Sequence, residues 1–369
     1  MELLKINHRV SLKFIFACNW RFLRNEFLKY ASLLLNKNFC RPLNLIDIKL
    51  TIRCNLRCQQ CSMWAWESAN ELSTDTWKNI ILDIKNYIGP YFVRFDGGEV
   101  FCRQDFLELV NFCSENDIYT LITTNGTLID ESVARELLKN KIALIHISLD
   151  GFRPETHDRL RGVEGTHQKA LRAIDLLKDK VRIQINTTIM QDNLDEILDL
   201  AEFAYKNRIQ ISFQGLINLR TFDKSCLFEP NDLFPKDLKK LDYVIEELYN
   251  KKKNNKYIMN SYVQLMHFKD YYHSLDLRRK SCEIIYNHQL WIKRNGDVYT
   301  CSFIGPIGNL TKKSLREIWH SKEADNKIQK MKKCNINKCL IMRGFHRDSY
   351  SQIITKIKRC LLMTESNVA

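Results

Sequence analysis

No apolar run in the 369 residues approaches the roughly 20 that a bilayer-crossing helix needs, so no helical membrane span is expected. A secretory signal is also missing. The short apolar piece Phe14–Cys18 is smaller than a signal core, and no small-residue cleavage site follows it. The chain has no compact basic motif with interleaved aromatics. That argues against a nucleic-acid partner, although the net charge is +14. The excess charge fits a lysine-rich solvated surface, an acidic peptide or an anionic lipid surface. An even complement of cysteines is lacking too. The count is 13, which argues against a secreted disulfide framework and for a reducing, cytoplasmic setting. Six cysteines stand alone (Cys18, Cys40, Cys102, Cys113, Cys226 and Cys360) and read as buried apolar residues. The other seven fall into two groups with ligand-like spacing. What the chain does have is 45% apolar residues, enough for a sizeable core.

Residues 11–35 read as an amphipathic helix, with Phe16, Trp20, Leu23, Phe27, Tyr30 and Leu34 on one face and basic residues on the rest. Its apolar stripe is expected either to pack on the main domain or to make a peripheral contact with the inner membrane surface. From Leu45 a regular alternation begins. The strand candidates are Leu45–Thr51, Tyr91–Asp96, Tyr119–Thr124, Ala143–Leu149, Val181–Thr188 and Ile209–Gly215. Helix candidates lie between them, at Ser73–Tyr87, Gln104–Asn116, Asp130–Asn140, Thr166–Leu177 and Leu194–Asn207, with Ser73, Asp130 and Asn193 as start signals. Strands alternating with helices imply parallel βα units. The expected fold class is α/β, a six-stranded partial (β/α)6 TIM-like barrel whose chemistry sits at the C-terminal strand ends. The expected division is an N-terminal helical segment over 1–44, the barrel over 45–220, and a linker or helical cap over 221–281. A small cysteine-rich extension then covers 282–345, and a C-terminal helix and tail 346–369.

The first strand candidate runs directly into Cys54-Asn-Leu-Arg-Cys58-Gln-Gln-Cys61. Thiolates are soft ligands for iron–sulfur clusters and for zinc. Three on one short loop can hold three irons of a cubane cluster and leave the fourth open to a small molecule. A zinc loop or a set of buried free thiols is the bland alternative. With Thr51-Ile-Arg leading in, the loop resembles that of the radical SAM superfamily. The resemblance implies a 4Fe–4S cluster whose open iron binds S-adenosylmethionine, an electron donor such as flavodoxin or ferredoxin, and cleavage to a 5′-deoxyadenosyl radical. One departure is Gln60, where the family often has an aromatic or apolar residue against the adenine. Trp64 and Trp66 follow the loop, either shielding it from water or serving as plain core.

Three downstream motifs fall at strand ends, as the resemblance requires. Asp96-Gly97-Gly98-Glu99 is similar to the family's GGE motif, which implies contact with the methionine amino group. Paired glycines also let a backbone approach a neighbour closely. Asn125 follows the third strand candidate and is a candidate for lining the cofactor site. Ser148-Leu-Asp150-Gly151 and His157-Asp-Arg-Leu-Arg161-Gly162 are similar to the family's SxDG and HDxxRG stretches. Ser148 would then contact S-adenosylmethionine, and Arg161 would pair with its carboxylate, a task suited to a permanently charged fork. Asp150 by itself reads as an Asx turn. The charged stretch Lys236–Lys252 reads as a helix, and the run Lys251–Lys256 as its solvated end and the loop that follows, in a segment expected to cap the substrate pocket.

Further on, Asn295-Gly296 between two apolar runs predicts a hairpin, with Cys282 and Cys301 at its open end. A short helix with Leu315, Ile318 and Trp319 follows, then Cys334 and Cys339. Four thiols can complete a closed metal site, either an iron–sulfur cluster or a structural zinc. The run is similar to the SPASM/twitch extension of radical SAM enzymes, implying a second, auxiliary 4Fe–4S cluster. Taken together, the expected function is hydrogen-atom abstraction from a peptide or small-molecule substrate, with the auxiliary cluster accepting an electron. The contrasting readings are a non-catalytic iron–sulfur electron-transfer or scaffold protein, and a radical SAM enzyme acting on a membrane-associated sugar or lipid intermediate.

Overall fold

The computed structural model describes residues 45–66, 70–216, 232–274, 290–301 and 304–332, together with Ala17, Trp20 and Arg24. The expectations for the rest of the N-terminal helix, for Cys282, Cys334 and Cys339, and for the C-terminal helix lie outside the described residues.

Six strands form as the alternation predicts: β1 (Leu45–Thr51), β2 (Phe92–Gly97), β3 (Tyr119–Thr124), β4 (Ile142–Ser148), β5 (Ile183–Ile189) and β6 (Gln210–Gly215). Each pairs in parallel with the next, so spatial order follows chain order. The crossovers carry α1 (Thr74–Ile88), α2 (Phe106–Glu115), α3 (Glu131–Lys139), α4 (Pro154–Arg161), α5 (Thr166–Leu177) and α6 (Ile197–Lys206). Local chemistry sets several of these boundaries. The Ser73 hydroxyl accepts from the Thr76 N–H at the start of α1, and Asp130 accepts from Ser132 and Val133 at the start of α3. Trp77, Ile80, Ile81, Ile84 and Ile88 recur at helical spacing and bury one face of α1. They share a single core with Ile46, Ile48 and Leu50 of β1. Helix α4 is an addition to the sequence reading. Pro154 stands in its first turn and Gly162 caps its end in a left-handed conformation. Asn193 is a correction: it does not start a helix but is buried in a 3-10 turn.

Beyond β6 lie α7 (Leu238–Lys252) and α8 (Tyr262–His273). The charged stretch is a helix, as expected, and one of its faces is buried. Leu241, Val244, Ile245 and Leu248 are buried with Leu265 and Phe268 of α8. This pair covers the β6 edge. Ile211 makes a parallel bridge to Ile258, the Tyr272 hydroxyl donates to the Ile189 carbonyl, and the Tyr271 hydroxyl donates to that of Leu216.

The predicted hairpin is present as β7 (Leu290–Ile292) and β8 (Asp297–Tyr299), followed by the short β9 (Gly308–Asn309). Its placement was not legible in the sequence. β7 pairs in parallel with β1, so the hairpin continues the barrel sheet past its first strand. Leu315 and Trp319 of the short helix α9 (Leu315–Trp319) are buried, and the Leu315 N–H donates to Asp83 on α1 at 2.7 Å. A last helix, α10 (Lys322–Lys332), follows. Among the described residues no helix is long and apolar enough to cross a membrane.

Candidate cofactor site

The three-cysteine loop leaves the C-terminal end of β1 and is held from two sides. On one side the end of β2 approaches so closely that it needs glycine. The Gly98 N–H donates to the Thr51 carbonyl and the Glu99 N–H to that of Arg53, each at 2.8 Å. A Cβ on Gly97 would overlap the Thr51 carbonyl, and one on Gly98 would overlap that of Arg53. The paired glycines therefore admit the cluster loop itself rather than leaving open space beside it.

On the other side stands the C-terminal end of α4. Its last carbonyls accept from the loop: Arg57 N–H donates to Arg161 at 3.1 Å and Gln59 N–H to Leu160 at 2.9 Å. The Gln59 side chain adds a bond to the Arg159 carbonyl at 3.0 Å. Gly162 has a φ of +71°, and a Cβ there would overlap the Arg57 carbonyl. The HDxxRG stretch is thus a clamp on the cysteine loop, which spacing alone did not reveal.

Asp150 joins this clamp to the barrel. Fully buried, it accepts from the Thr188 N–H at 2.8 Å and from Gln60 Nε2 at 2.9 Å, and pairs with Arg161 at 2.7 Å. The Asx-turn reading of Asp150 gives way to an ion pair between elements. Its backbone is fixed as well, by His157 Nδ1, which accepts from the Asp150 N–H, and by Asn193, which donates to the Asp150 carbonyl. Burial, then the charge of Arg161, pushes the His157 imidazole down to about 2, which keeps it neutral and able to accept. Arg161 also reaches Cys58 Sγ at 3.9 Å.

Glu99 is fully buried and its carboxylate is already engaged. It accepts from Thr124 Oγ1 at 2.8 Å and from the Asn125 N–H at 2.7 Å. Burial pushes its pKa up to about 7 in spite of these donors. Asn125 in turn donates to Asn55 Oδ1 at 2.9 Å, inside the cysteine loop. Ser148 sits half-buried at the end of β4, across from Asn186 of β5. All the predicted barrel-site residues therefore gather at one mouth. Of the second group only Cys301 is described, and it is buried.

Two features escaped the sequence reading. Glu71 accepts from Thr51 Oγ1 at 2.5 Å and from Arg53 at 2.6 Å, and lies 3.6 Å from Arg103, which pairs with Asp105. Only its position just ahead of the Ser73 cap could have drawn attention to it. Cys102, read as a core residue, is half-buried beside the loop, near the Asn55 backbone and Glu99. Cys113 is buried as expected. Trp64 and Trp66 are partly exposed rather than core, and the Arg57 guanidinium stands 5.2 Å from the Trp64 ring centre.

The donor set fits a cluster held by thiolates. Burial pushes the free Cys54 thiol up to about 12 and the Cys61 thiol above its usual range, so bound positive charge is needed to ionise them. Among the described residues no three His, Cys, Asp or Glu side chains form a site for a single metal ion. A cluster places one thiolate on each of three irons, so it does not require such convergence.

Residues 48–204 match the model of the radical SAM superfamily, and residues 282–340 match that of the SPASM iron–sulfur cluster-binding domain. The chain is 27% identical over 302 residues to an AdoMet-dependent heme synthase of Methanosarcina barkeri, covering 77% of this chain and 84% of that one. It is 26% identical to a PqqA peptide cyclase of Bradyrhizobium diazoefficiens, over 79% of this chain and 77% of that one. Several other curated relatives match over less than half their length, among them an Fe-coproporphyrin III synthase of Methanosarcina barkeri at 43%. In fold it resembles Streptococcus suis SuiB bound to its precursor peptide SuiA, with a TM-score of 0.62, 20% identity, and 88% and 75% of the two chains covered. The chain belongs to the radical SAM superfamily: it is a radical SAM enzyme with a SPASM domain, and its cofactors are 4Fe–4S clusters and S-adenosylmethionine.

Proposed function

We propose that this protein abstracts a hydrogen atom from a peptide substrate. The bound cofactors would supply the chemistry, reductive cleavage of S-adenosylmethionine coupled to hydrogen-atom abstraction. The polypeptide binds, orients and shields. Cys54, Cys58 and Cys61 would hold the first cluster, and Cys282, Cys301, Cys334 and Cys339 the auxiliary one, which would supply an electron-accepting centre. The Gly97–Glu99 strand end, Ser148 and Arg161 would hold S-adenosylmethionine. Glu99 and Asn125 shape that surface by anchoring the ends of β2 and β3 to the cysteine loop.

The observation that carries this reading is the clamped three-cysteine loop at the C-terminal mouth of a parallel barrel, with a buried guanidinium beside Cys58. The peptide reading is supported by the peptide cyclase and peptide-bound SuiB among the relatives. An external electron donor of the flavodoxin or ferredoxin kind completes the scheme. Anaerobically reconstituted, dithionite-reduced protein should release 5′-deoxyadenosine, and a Cys58→Ala variant should release none. Iron of roughly eight per chain is expected from two four-iron clusters. No 5′-deoxyadenosine from fully loaded protein would defeat the proposal.

A further inference from the structure

A parallel barrel that serves only as a scaffold fills its interior with layers of branched apolar side chains. Here that holds at one level only, where Tyr119 and Ala143 are buried with Phe92 and Leu121 against them. Elsewhere the inward face is polar. In β5 the helix-facing Ile183, Ile185 and Ile189 are buried, while Gln184, Asn186 and Thr188 between them are water-accessible. β6 repeats the pattern, with Ile211 and Phe213 buried and the alternating Gln210, Ser212 and Gln214 not.

Register joins these residues across the sheet. Gln184 stands between His146 and Gln210, and Asn186 between Ser148 and Ser212. Gln184 Nε2 donates to Asn186 Oδ1 at 2.9 Å, which confirms the shared face. Two nearby charge pairs are compensated within the barrel, and the Arg182 guanidinium donates to the Gln210 side chain at 3.1 Å. Arg94 pairs with Asp47 at 2.5 Å and Lys49 with Asp96 at 3.3 Å. His146 lies close to Arg94, Asn186 and Arg182, so β2, β4 and β5 contribute to one surface. Burial, reinforced by Arg94, pushes its imidazole down to about 3 and keeps it neutral. What this surface presents is therefore mainly uncharged: amides, hydroxyls and a neutral ring.

We infer that the inner face spanned by His146, Gln184, Asn186 and Ser212 receives the reacting part of the substrate, and that this part is an uncharged amide- or hydroxyl-bearing group rather than an apolar ring system. The inference rests on the function proposed above, which brings substrate to this mouth. An apolar ring seated there would strip water from these groups and leave them unpaired, each at about a tenfold loss of affinity. An amide offers both a donor and an acceptor and can replace that water. Of the two activities named among the relatives of similar extent, peptide cyclisation presents such a group.

The test is saturation-transfer NMR on the full chain with two probes, N-acetylglycinamide and toluene, at equal concentration. The amide probe should receive saturation and toluene should not. The amide signal should fall about tenfold in a Gln184→Leu/Asn186→Leu double variant, and toluene binding should rise there. Ser212→Val on the same face should also weaken the amide signal, which keeps the test decisive if the double variant fails to fold. Saturation of toluene as strong as that of the amide, or an amide signal indifferent to these substitutions, overturns the inference. Cleavage of S-adenosylmethionine is not read in this experiment. Failure of that reaction would overturn the proposed function while leaving the probe result to stand or fall separately.

Discussion

Gly162→Ala and Gly165→Ala form a matched pair that isolates the clamp on the cysteine loop. Both glycines have positive φ, +71° and +76°. An alanine at either position therefore carries the left-handed penalty, about 1–2 kcal/mol. Their surroundings differ. Nothing lies within 4 Å of a Cβ on Gly165, whereas one on Gly162 would overlap the Arg57 carbonyl, with its carbon at 2.8 Å. Relief of that overlap must move the loop away from α4. The Arg57-to-Arg161 and Gln59-to-Leu160 hydrogen bonds would then be lost, at about 0.5–1.5 kcal/mol each. Gly162→Ala should thus cost about 1–3 kcal/mol more than Gly165→Ala, a large share of a typical total near 5–15 kcal/mol. Denaturant unfolding of the two variants reads this difference. Iron content after anaerobic gel filtration reads its consequence, since only Gly162→Ala displaces the residues between Cys54 and Cys58. Equal stability and equal iron retention in the two variants would refute the clamp.

Three further outcomes follow from the same geometry. Asp150→Asn removes one partner of a buried ion pair and should cost about 3–5 kcal/mol by denaturant unfolding; a loss below about 1 kcal/mol would mean that Arg161 finds its compensation elsewhere. Glu99, raised from 4.5 to about 7, holds its proton more tightly when folded. Its contribution to cluster-free protein should be complete below pH 4.5 and fade as pH rises through 7, so Tm should fall across that window, and Glu99→Gln should flatten the profile. Glu71→Gln weakens the bonds to Thr51 and Arg53 and should cost about 1–3 kcal/mol, with faster loss of iron to a chelator than in the parent protein.

Much of this fold was legible because parallel strands and amphipathic helices write different periods into the chain. The spans of β1 and β3 coincide with the predicted ones, and β2, β4, β5 and β6 differ by one or two residues at their ends. Ser73 and Asp130 marked helix starts because a cap is a contact between residues two or three positions apart. Asn193 looked equally like a cap, but its side-chain amide donates to the Thr188 carbonyl on β5 and to the Asp150 carbonyl beyond the end of β4, a partner far away in sequence.

The sequence by itself determined the cysteine loop, the glycine pair, the hairpin turn and the six strands with their helical crossovers, since each depends on neighbours within a few residues. Only the tertiary structure decided what these pieces touch. Gly97 and Gly98 serve the cysteine loop, α4 grips that loop from the other side, Asp150 ties it to β5, and β7 extends the sheet beyond β1. Those contacts join residues tens to hundreds of positions apart. No local pattern encodes them, because they arise only when the sheet has closed far enough to bring the C-terminal strand ends to one mouth.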